Sequence, residues 1–320
     1  MRRIGVLTSG GDAPGMNAAI RSVVRTGIFY GMEVVGIERG YEGILQKETR
    51  VMDLASVGDI LHRGGTVLRT GRSEEFMKPE GVARAAENLR DMEITDLVAI
   101  GGDGTLRGAC ELSQHGISVM ILPGTIDNDM GYTDFTIGFD TAVNTVLGAI
   151  SNIRDTASAH ERTTIIEVMG RNCGDIALFS GVAGGAEYIL IPEIPVDLPA
   201  LADKIREGMA RKKSHNIIIK AEGVPVPTEE LVQYIRENTG QEARMVVLAY
   251  LQRGGSPSCR DRMLASLMGN HAVELILNDT GSRAIGITGN EIADSSLEDA
   301  VNLRKEPALD LLSVIDILSK

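Results

Sequence analysis

A chain of 320 residues predicts about two domains at roughly 150 residues each, long enough to bury substantial cores without metal or disulfide staples. A composition 43% hydrophobic and 24% charged, with 37 glycines against 10 prolines, excludes a disordered, collagenous or mucin-like chain. A formal charge of −12 argues against a nucleic-acid surface, and no apolar run is long enough to span a membrane.

The opening Met1-Arg2-Arg3 runs directly into a buried-strand pattern over 4–7, where a signal peptide would need its apolar region, and this points to the cytosol. That strand ends in Thr8-Ser9-Gly10-Gly11-Asp12-Ala13-Pro14-Gly15. A helix follows from Met16, with Ile20, Val23, Val24 and Ile28 on its inward face. The unit of strand, glycine turn and helix recurs: a strand over 97–100, the turn Gly101-Gly102-Asp103-Gly104-Thr105, and a helix to about His115. A third strand over 119–122 leads into Pro123-Gly124-Thr125-Ile126-Asp127-Asn128-Asp129. A helix over 139–158 opens a second alternating series, with strands over 163–168, 188–191, 216–220 and 245–248. Arg253-Gly254-Gly255-Ser256-Pro257 leads into a long helix, a strand over 284–287 and a last helix over 307–318.

Such alternation predicts α/β architecture with mostly parallel sheets covered by helices. Without a Gly/Ser-rich linker, it predicts two closely packed domains whose boundary the chain crosses more than once, with an active cleft between them. Cys110, Cys173 and Cys259 have no zinc-site spacing and are expected to be reduced, structural thiols.

Ligands of a doubly wound sheet gather beyond the carboxyl ends of its strands, where the three turns fall. Gly10-Gly11 permits close backbone approach, and the following helix N-terminus attracts phosphate. It is neither GxxxxGK[ST] nor a complete GxGxxG, so by itself it is a generic anion turn. Asp103 adds a carboxylate suited to magnesium and an expected helix N-cap. Asp127 and Asp129, two residues apart, invite separate tasks: one to deprotonate an alcohol, the other to organise substrate or metal. Read alone, the same segment is also an Asx-rich turn. Arg72, Arg162, Arg171, Arg244 and Arg253 fall at element ends, mostly beside glycines, and their planar forks suit phosphate oxygens. Local arginines in an acidic chain fit a small phosphorylated substrate.

The ordered set of Gly10-Gly11-Asp12-Ala13-Pro14-Gly15-Met16-Asn17, the two later turns, Met169-Gly170-Arg171, Ala221-Glu222-Gly223 and Gln252-Arg253-Gly254-Gly255-Ser256-Pro257 closely resembles the ATP-dependent 6-phosphofructokinases, especially the short bacterial form. The resemblance runs nearly end to end. It implies two three-layer α/β domains: a larger ATP-binding one over 1–138 plus 252–304, and a smaller fructose 6-phosphate-binding one over 139–251 plus 305–320. It implies transfer of the terminal phosphoryl group of ATP to the 1-hydroxyl of fructose 6-phosphate, with Mg2+ as cofactor and Asp127 as the base. Gly11 and Arg72 would handle nucleotide phosphates, and Asp103 the metal. Thr125 and Arg171 would position the reacting phosphoryl group, and Asp129 would organise the catalytic loop. Tyr41, Ser73, Phe76, Gly102, Gly104, Thr105 and Gly108 would line the nucleotide site. Met169, Gly170 and Glu222 would contact the sugar. Arg162, Arg244 and Arg253 would surround its 6-phosphate, Arg162 and Arg244 coming from a neighbouring chain of a homotetramer.

Pyrophosphate-using relatives generally carry aspartate and lysine where Gly104 and Gly124 stand here, so ATP is the implied donor. Four positions depart from the family pattern, the mildest being Thr105, which retains a hydroxyl where serine is common. Tyr250 stands where a sugar-phosphate-binding histidine is usual, Met77 where arginine is common, and Leu54 where a charged contact is common. The Tyr250 hydroxyl can donate to phosphate but is neutral near pH 7. By the same resemblance Arg21, Arg25, Asp59, Arg154, Gly185, Glu187, Arg211 and Lys213 would form an effector pocket for ADP or GDP as activator and phosphoenolpyruvate as inhibitor. The alternatives are a kinase for a related phosphosugar, a sugar or lipid kinase sharing the Gly-Gly-Asp-Gly turn, and a catalytically weak phosphometabolite sensor.

Overall fold

The computed structural model describes residues 2–319. In chain order the chain forms β1 (Arg3–Thr8), α1 (Met16–Phe29), β2 (Glu33–Ile37), α2 (Tyr41–Leu45), β3 (Thr49–Met52) and α3 (Pro79–Asp91). There follow β4 (Asp96–Gly101), α4 (Asp103–Gln114), β5 (Ser118–Thr125), β6 (Ile137–Gly138), α5 (Phe139–Ala159) and β7 (Thr163–Val168). Then come α6 (Asp175–Ala183), β8 (Tyr188–Leu190), α7 (Leu198–Ala210), β9 (Asn216–Ala221), α8 (Thr228–Thr239) and β10 (Ala243–Val247). A 3-10 turn (Ala249–Arg253), α9 (Cys259–Leu277), β11 (Arg283–Thr288), β12 (Glu291–Ser296), α10 (Leu297–Asn302) and α11 (Asp310–Leu318) complete it.

The chain divides into two compact units, Met1–Thr141 with Arg253–Lys305, and Ala142–Gln252 with Glu306–Lys320. The first unit is built on an eight-stranded sheet of order β12-β11-β5-β4-β1-β2-β3, with β6 also paired to β5. Its centre is parallel, and the edge pairs β2–β3 and β11–β12 are antiparallel. β4 is buried along its whole length, as a strand covered on both faces must be. Leu7, Leu97, Ala99, Val119 and Ile121 pack into one apolar cluster with Val82, Ala85 and Leu89 of α3 and Leu106 and Leu112 of α4. Strand side chains alternate, so Val6, Val98, Met120 and Leu122 point to the other face. There α1 and α9 pack on each other and on the sheet.

The second unit is a four-stranded parallel sheet, order β10-β7-β9-β8. β9 is fully buried, including Lys220, whose Nζ meets Glu167 Oε2 at 3.2 Å. Among the described residues no helix is long and apolar enough to cross a membrane.

The elements depart from expectation where tertiary pairing overrides local pattern. The third strand continues past Leu122 to Thr125, because Pro123 pairs with Gly101 while Gly124 and Thr125 pair with Ile137 and Gly138. β10 begins at Ala243, two residues before expectation, and the last helix at Asp310, three residues after. β2, β3, β6 and β12 were not expected at all. β3 and β12 are largely exposed or half-buried antiparallel edges and β6 is two residues long, so these three lack the apolar run of a central strand, while β2, buried over 34–37, does carry one. Cys173 is buried and Cys110 half-buried, but Cys259 is exposed at the start of α9, which corrects the expectation that all three thiols are structural.

Candidate active site

In the first unit β5, β4 and β1 are parallel neighbours, so the turns leaving their carboxyl ends stand side by side. The first turn prolongs the sheet: Ser9 N–H donates to the Ile100 carbonyl at 3.0 Å. Gly10 then takes φ 82, in the left-handed region that favours glycine. Its carbonyl accepts the Thr70 hydroxyl at 2.6 Å, which draws the Gly71-Arg72-Ser73 segment to this turn. Gly11 and Arg72, the two expected nucleotide-phosphate residues, therefore share a neighbourhood. The first turn of α1 has neither an acidic residue nor a side-chain cap, so its amide dipoles favour an anion.

A Cβ on Gly11 would lie 2.7 Å from Nη1 of Arg253, and that nitrogen donates to the Asp12 carbonyl at 3.1 Å. Arg253, expected at a sugar phosphate, thus packs on the nucleotide turn.

In the second turn Gly102, not Asp103, is the cap of α4, and no side chain caps it, which corrects the expected N-cap. Asp103 opens the helix, half-exposed, with an oxygen 2.9 Å from Arg107 Nε one turn along. The Thr105 hydroxyl reaches back to the Ser9 carbonyl at 3.2 Å and so locks the second turn to the first. Tyr41 donates to the Thr105 carbonyl at 2.6 Å and stacks on Phe76, centroids 4.1 Å apart. Both rings are buried, and burial pushes the Tyr41 phenol pKa far up. An added Cβ on Gly108 would come within 2.5 Å of Tyr41 and 2.9 Å of Phe76. The pair is the packed floor beneath Gly108, while Met77 is exposed. Gly104 faces open space, whereas a Cβ on Gly124 would meet Ile100 at 2.9 Å, so only the second position excludes a larger side chain sterically.

The third turn is held by Asn128, to which sequence reasoning gave no task. At φ 53 its side chain donates to the Asp134 carbonyl at 3.2 Å and accepts from Thr136 N–H at 3.0 Å. The Thr136 hydroxyl holds the Thr125 carbonyl at 2.6 Å, and Asp127 N–H donates to the Thr125 hydroxyl at 3.2 Å. Asp127 is buried and Asp129 half-buried. The Asx-turn reading and the catalytic reading are thus divided between neighbours, Asn128 building the turn that carries Asp127. A Cβ on Gly102 would sit 3.5 Å from Thr125, which places the second and third turns in contact distance.

In the second unit β10, β7 and β9 are adjacent and parallel, and their carboxyl ends carry Met169-Gly170-Arg171, Glu222 and Tyr250, whereas Arg162 and Arg244 lie at the opposite, amino ends of β7 and β10. After β7, Gly170 takes φ 132 and Arg171 φ 52. Arg171 N–H donates to Glu222 Oε1 at 3.0 Å, and a Cβ on Gly223 would fall 1.8 Å from the Arg171 carbonyl, so glycine is required there. Met169 N–H donates to Gln252 Oε1 at 3.1 Å. Arg162 precedes β7 and donates to the Thr156 hydroxyl at 3.2 Å. Arg244 lies exposed on β10, 2.7 Å from Glu242. Tyr250 is 80% exposed on the 3-10 turn.

Of the expected effector residues, Glu187 meets Lys213 at 2.9 Å and Arg154 at 3.8 Å, and Arg154 also donates to the Gly185 carbonyl. Arg211 lines the same hollow as Glu187 and Lys213. Arg21 and Arg25 lie on α1 and Asp59 in an exposed loop, all three within the first unit.

Among the described residues no three His, Cys, Asp or Glu side chains gather as a metal cluster. One carboxylate at Asp103 still fits magnesium, which is typically held by one or two carboxylates together with substrate phosphates.

A family described as phosphofructokinase matches residues 3–276. The chain is 52% identical over 319 residues to an ATP-dependent 6-phosphofructokinase of Alkaliphilus metalliredigens (strain QYMF), covering 100% of both. It is 53% identical over 320 residues to that of Clostridium botulinum (strain Loch Maree / Type A3), again covering 100% of both. Among solved structures, a phosphofructokinase from Saccharomyces cerevisiae superposes with a TM-score of 0.89 at 36% identity. That match takes in 100% of this chain and 47% of the yeast chain, so this chain spans about half of it. A pyrophosphate-dependent phosphofructokinase from Marinobacter aquaeolei gives a TM-score of 0.85 at 23% identity over 97% of this chain and 86% of its own, a likeness of fold alone.

Proposed function

The chain belongs to the phosphofructokinase family, and on that premise we infer that it is an ATP-dependent 6-phosphofructokinase, forming fructose 1,6-bisphosphate and ADP. The observation that carries this reading is the side-by-side placement of the Gly10-Gly11, Gly102-Asp103 and Thr125-Asp127 turns on three adjacent parallel strands. Those turns supply amides for nucleotide phosphates, a carboxylate for their metal and a buried carboxylate for the alcohol.

In the reaction the sugar O1 attacks the terminal phosphorus of ATP. The new O1–P bond forms as the bond to the bridging oxygen of ADP breaks, and the O1 proton passes to Asp127. Loose phosphoryl transfer needs alignment and charge neutralisation more than covalent help. Gly11 and Arg72 hold nucleotide phosphates, Thr125 and Arg171 the moving phosphoryl group, and Asp129 the sugar side of the loop. Magnesium at Asp103 would screen the phosphate oxygens. Met169, Gly170 and Glu222 address the sugar, with Tyr250 near its phosphate. Arg253 spends one of its five N–H donors on Asp12 and has others for phosphate.

Arg162 and Arg244 complete the 6-phosphate site from a neighbouring subunit of a homotetramer. The ATP-side residues, with Asp127, Asp129 and Arg253, belong to a larger nucleotide domain, and Met169, Gly170, Arg171, Glu222 and Tyr250 to a smaller sugar domain, in the cytoplasm. The Arg154, Gly185, Glu187, Arg211 and Lys213 group receives a nucleoside diphosphate activator or phosphoenolpyruvate, with Arg21, Arg25 and Asp59. Its support is a basic cluster already organised around one acid.

Steady-state assays with ATP or pyrophosphate, against fructose 6-phosphate and other phosphosugars, test the assignment. ATP-dependent turnover of fructose 6-phosphate is expected; its absence rejects the reading.

A further inference from the structure

Gln252 stands in the motif by which the chain resembles its family, yet none of the roles above falls to its side chain. It is 0% exposed, so its side chain cannot touch substrate. Its amide instead joins two segments of the second unit. Oε1 accepts from Met169 N–H at 3.1 Å, and Nε2 donates to the Ala249 carbonyl at 3.1 Å. One bond acts on Met169, just ahead of Gly170 at φ 132 and the left-handed Arg171 at φ 52, and the other on Ala249, itself at φ 42. Such conformations persist only where surrounding contacts over-determine them.

The far side of the Met169–Arg171 turn is fixed by Glu222, through Arg171 N–H at 3.0 Å. Gln252 supplies the near side. Through Ala249 it also fixes the 3-10 turn that lifts Tyr250 and Leu251 into solvent, 80% and 61% exposed. The demand at this point is for one donor and one acceptor at opposite ends of a planar group, which an amide or a protonated carboxyl provides.

We propose that Gln252 is a positioning residue for the sugar: one buried amide sets the Met169-Gly170-Arg171 turn and the Tyr250 turn at fixed separation, so that both reach the phosphosugar together. This rests on the kinase reading above, with fructose 6-phosphate as acceptor. The nucleotide turns make neither of these bonds, so the larger effect falls on the sugar KM, with a smaller one on kcat through Arg171.

The test uses the full-length enzyme with two variants. Gln252→Leu leaves the buried Met169 N–H unsatisfied and frees the exposed Ala249 carbonyl from its donor, and is expected to raise the fructose 6-phosphate KM about tenfold or more, with the ATP KM within about twofold. Gln252→Glu guards against a merely structural loss. Burial raises its carboxyl pKa. Protonated, it restores both bonds; ionised, it turns an acceptor on the Ala249 carbonyl. Its fructose 6-phosphate KM is therefore expected to be near wild type at about pH 6 and to climb toward pH 8.5, while the wild-type KM does not follow that course. Equal and pH-independent sugar KM values in wild type and both variants overturn the proposal. So does an equal rise in both substrates' KM values, or a loss of turnover that Gln252→Glu does not recover at low pH. Wild-type protein inactive on fructose 6-phosphate overturns the kinase reading itself, and is told apart by needing no variant.

Discussion

Asp127 sits on a turn built by its neighbour: Asn128 holds Thr136, and Thr136 holds the Thr125 carbonyl. Removing the Asp127 carboxylate should therefore remove the base and leave the turn in place. Asp127→Ser is expected to lower kcat about 10²–10⁴-fold with fructose 6-phosphate KM changed little, measured by initial rates. Near-normal kcat would exclude Asp127 as the base. Tyr250, exposed and neutral, offers the sugar phosphate one hydroxyl. Tyr250→His should lower the fructose 6-phosphate KM several-fold at pH 6, where imidazole carries charge, and less at pH 8. An unchanged KM at both pH values would mean that Tyr250 does not face the phosphate. The residues whose chemistry is local, a glycine at a turn or an acid after a strand, were legible in the sequence. Gln252, Asn128 and Thr70 were not, because each acts on a backbone group brought to it by folding, and nothing in an Asn or Gln side chain announces its partner.

Among elements, most central parallel strands were legible because burial on both faces makes them continuous apolar runs, as in β4 and β9; β2, whose apolar run is broken by Gly36, was not. The antiparallel edges were not. β12 reads Glu-Ile-Ala-Asp-Ser-Ser and owes its place to pairing with β11 and to side-chain bonds rather than to pattern. Asp294 on β12 accepts from Arg283 of β11 at 2.6 Å and contacts His271 of α9 at 3.1 Å. Burial opposes its ionisation, but the His271 and Arg283 bonds outweigh this and hold the carboxyl pKa below its ordinary value. A carboxylate with a depressed folded pKa stabilises the fold fully above its unfolded pKa of about 4, and that stability is lost as pH falls through the folded value. Asp294→Ala is expected to cost about 2 kcal/mol at pH 7. The gap between variant and wild-type melting temperatures should close as the pH drops below about 4. A gap independent of pH would show that packing, not charge, joins these three elements.

For the whole molecule, the proposed sharing of sites between subunits has a direct signature. If Arg162 serves a neighbour's Asp127, then Asp127→Ser and Arg162→Ser chains, each nearly inactive alone, should regain activity when refolded together, since some sites then receive both intact residues. A mixture no more active than its parents would place Arg162 within its own subunit's site.

The order in which the two units occur along the chain bears on how the protein is made. The first unit is interrupted at Thr141 and resumes at Arg253. Its missing pieces are α9, which covers α1, and β11, which covers the open edge of β5. A nascent chain leaving the ribosome therefore carries the apolar face of α1 and one bare edge of a parallel sheet until residues 142–252 of the second unit have been synthesised. At about 5–20 residues per second that interval is on the order of ten seconds. For that time the amino-terminal half is a sticky, unfinished sheet, open to strand-edge association, and it is the stage at which holdase chaperones should find this polypeptide most often.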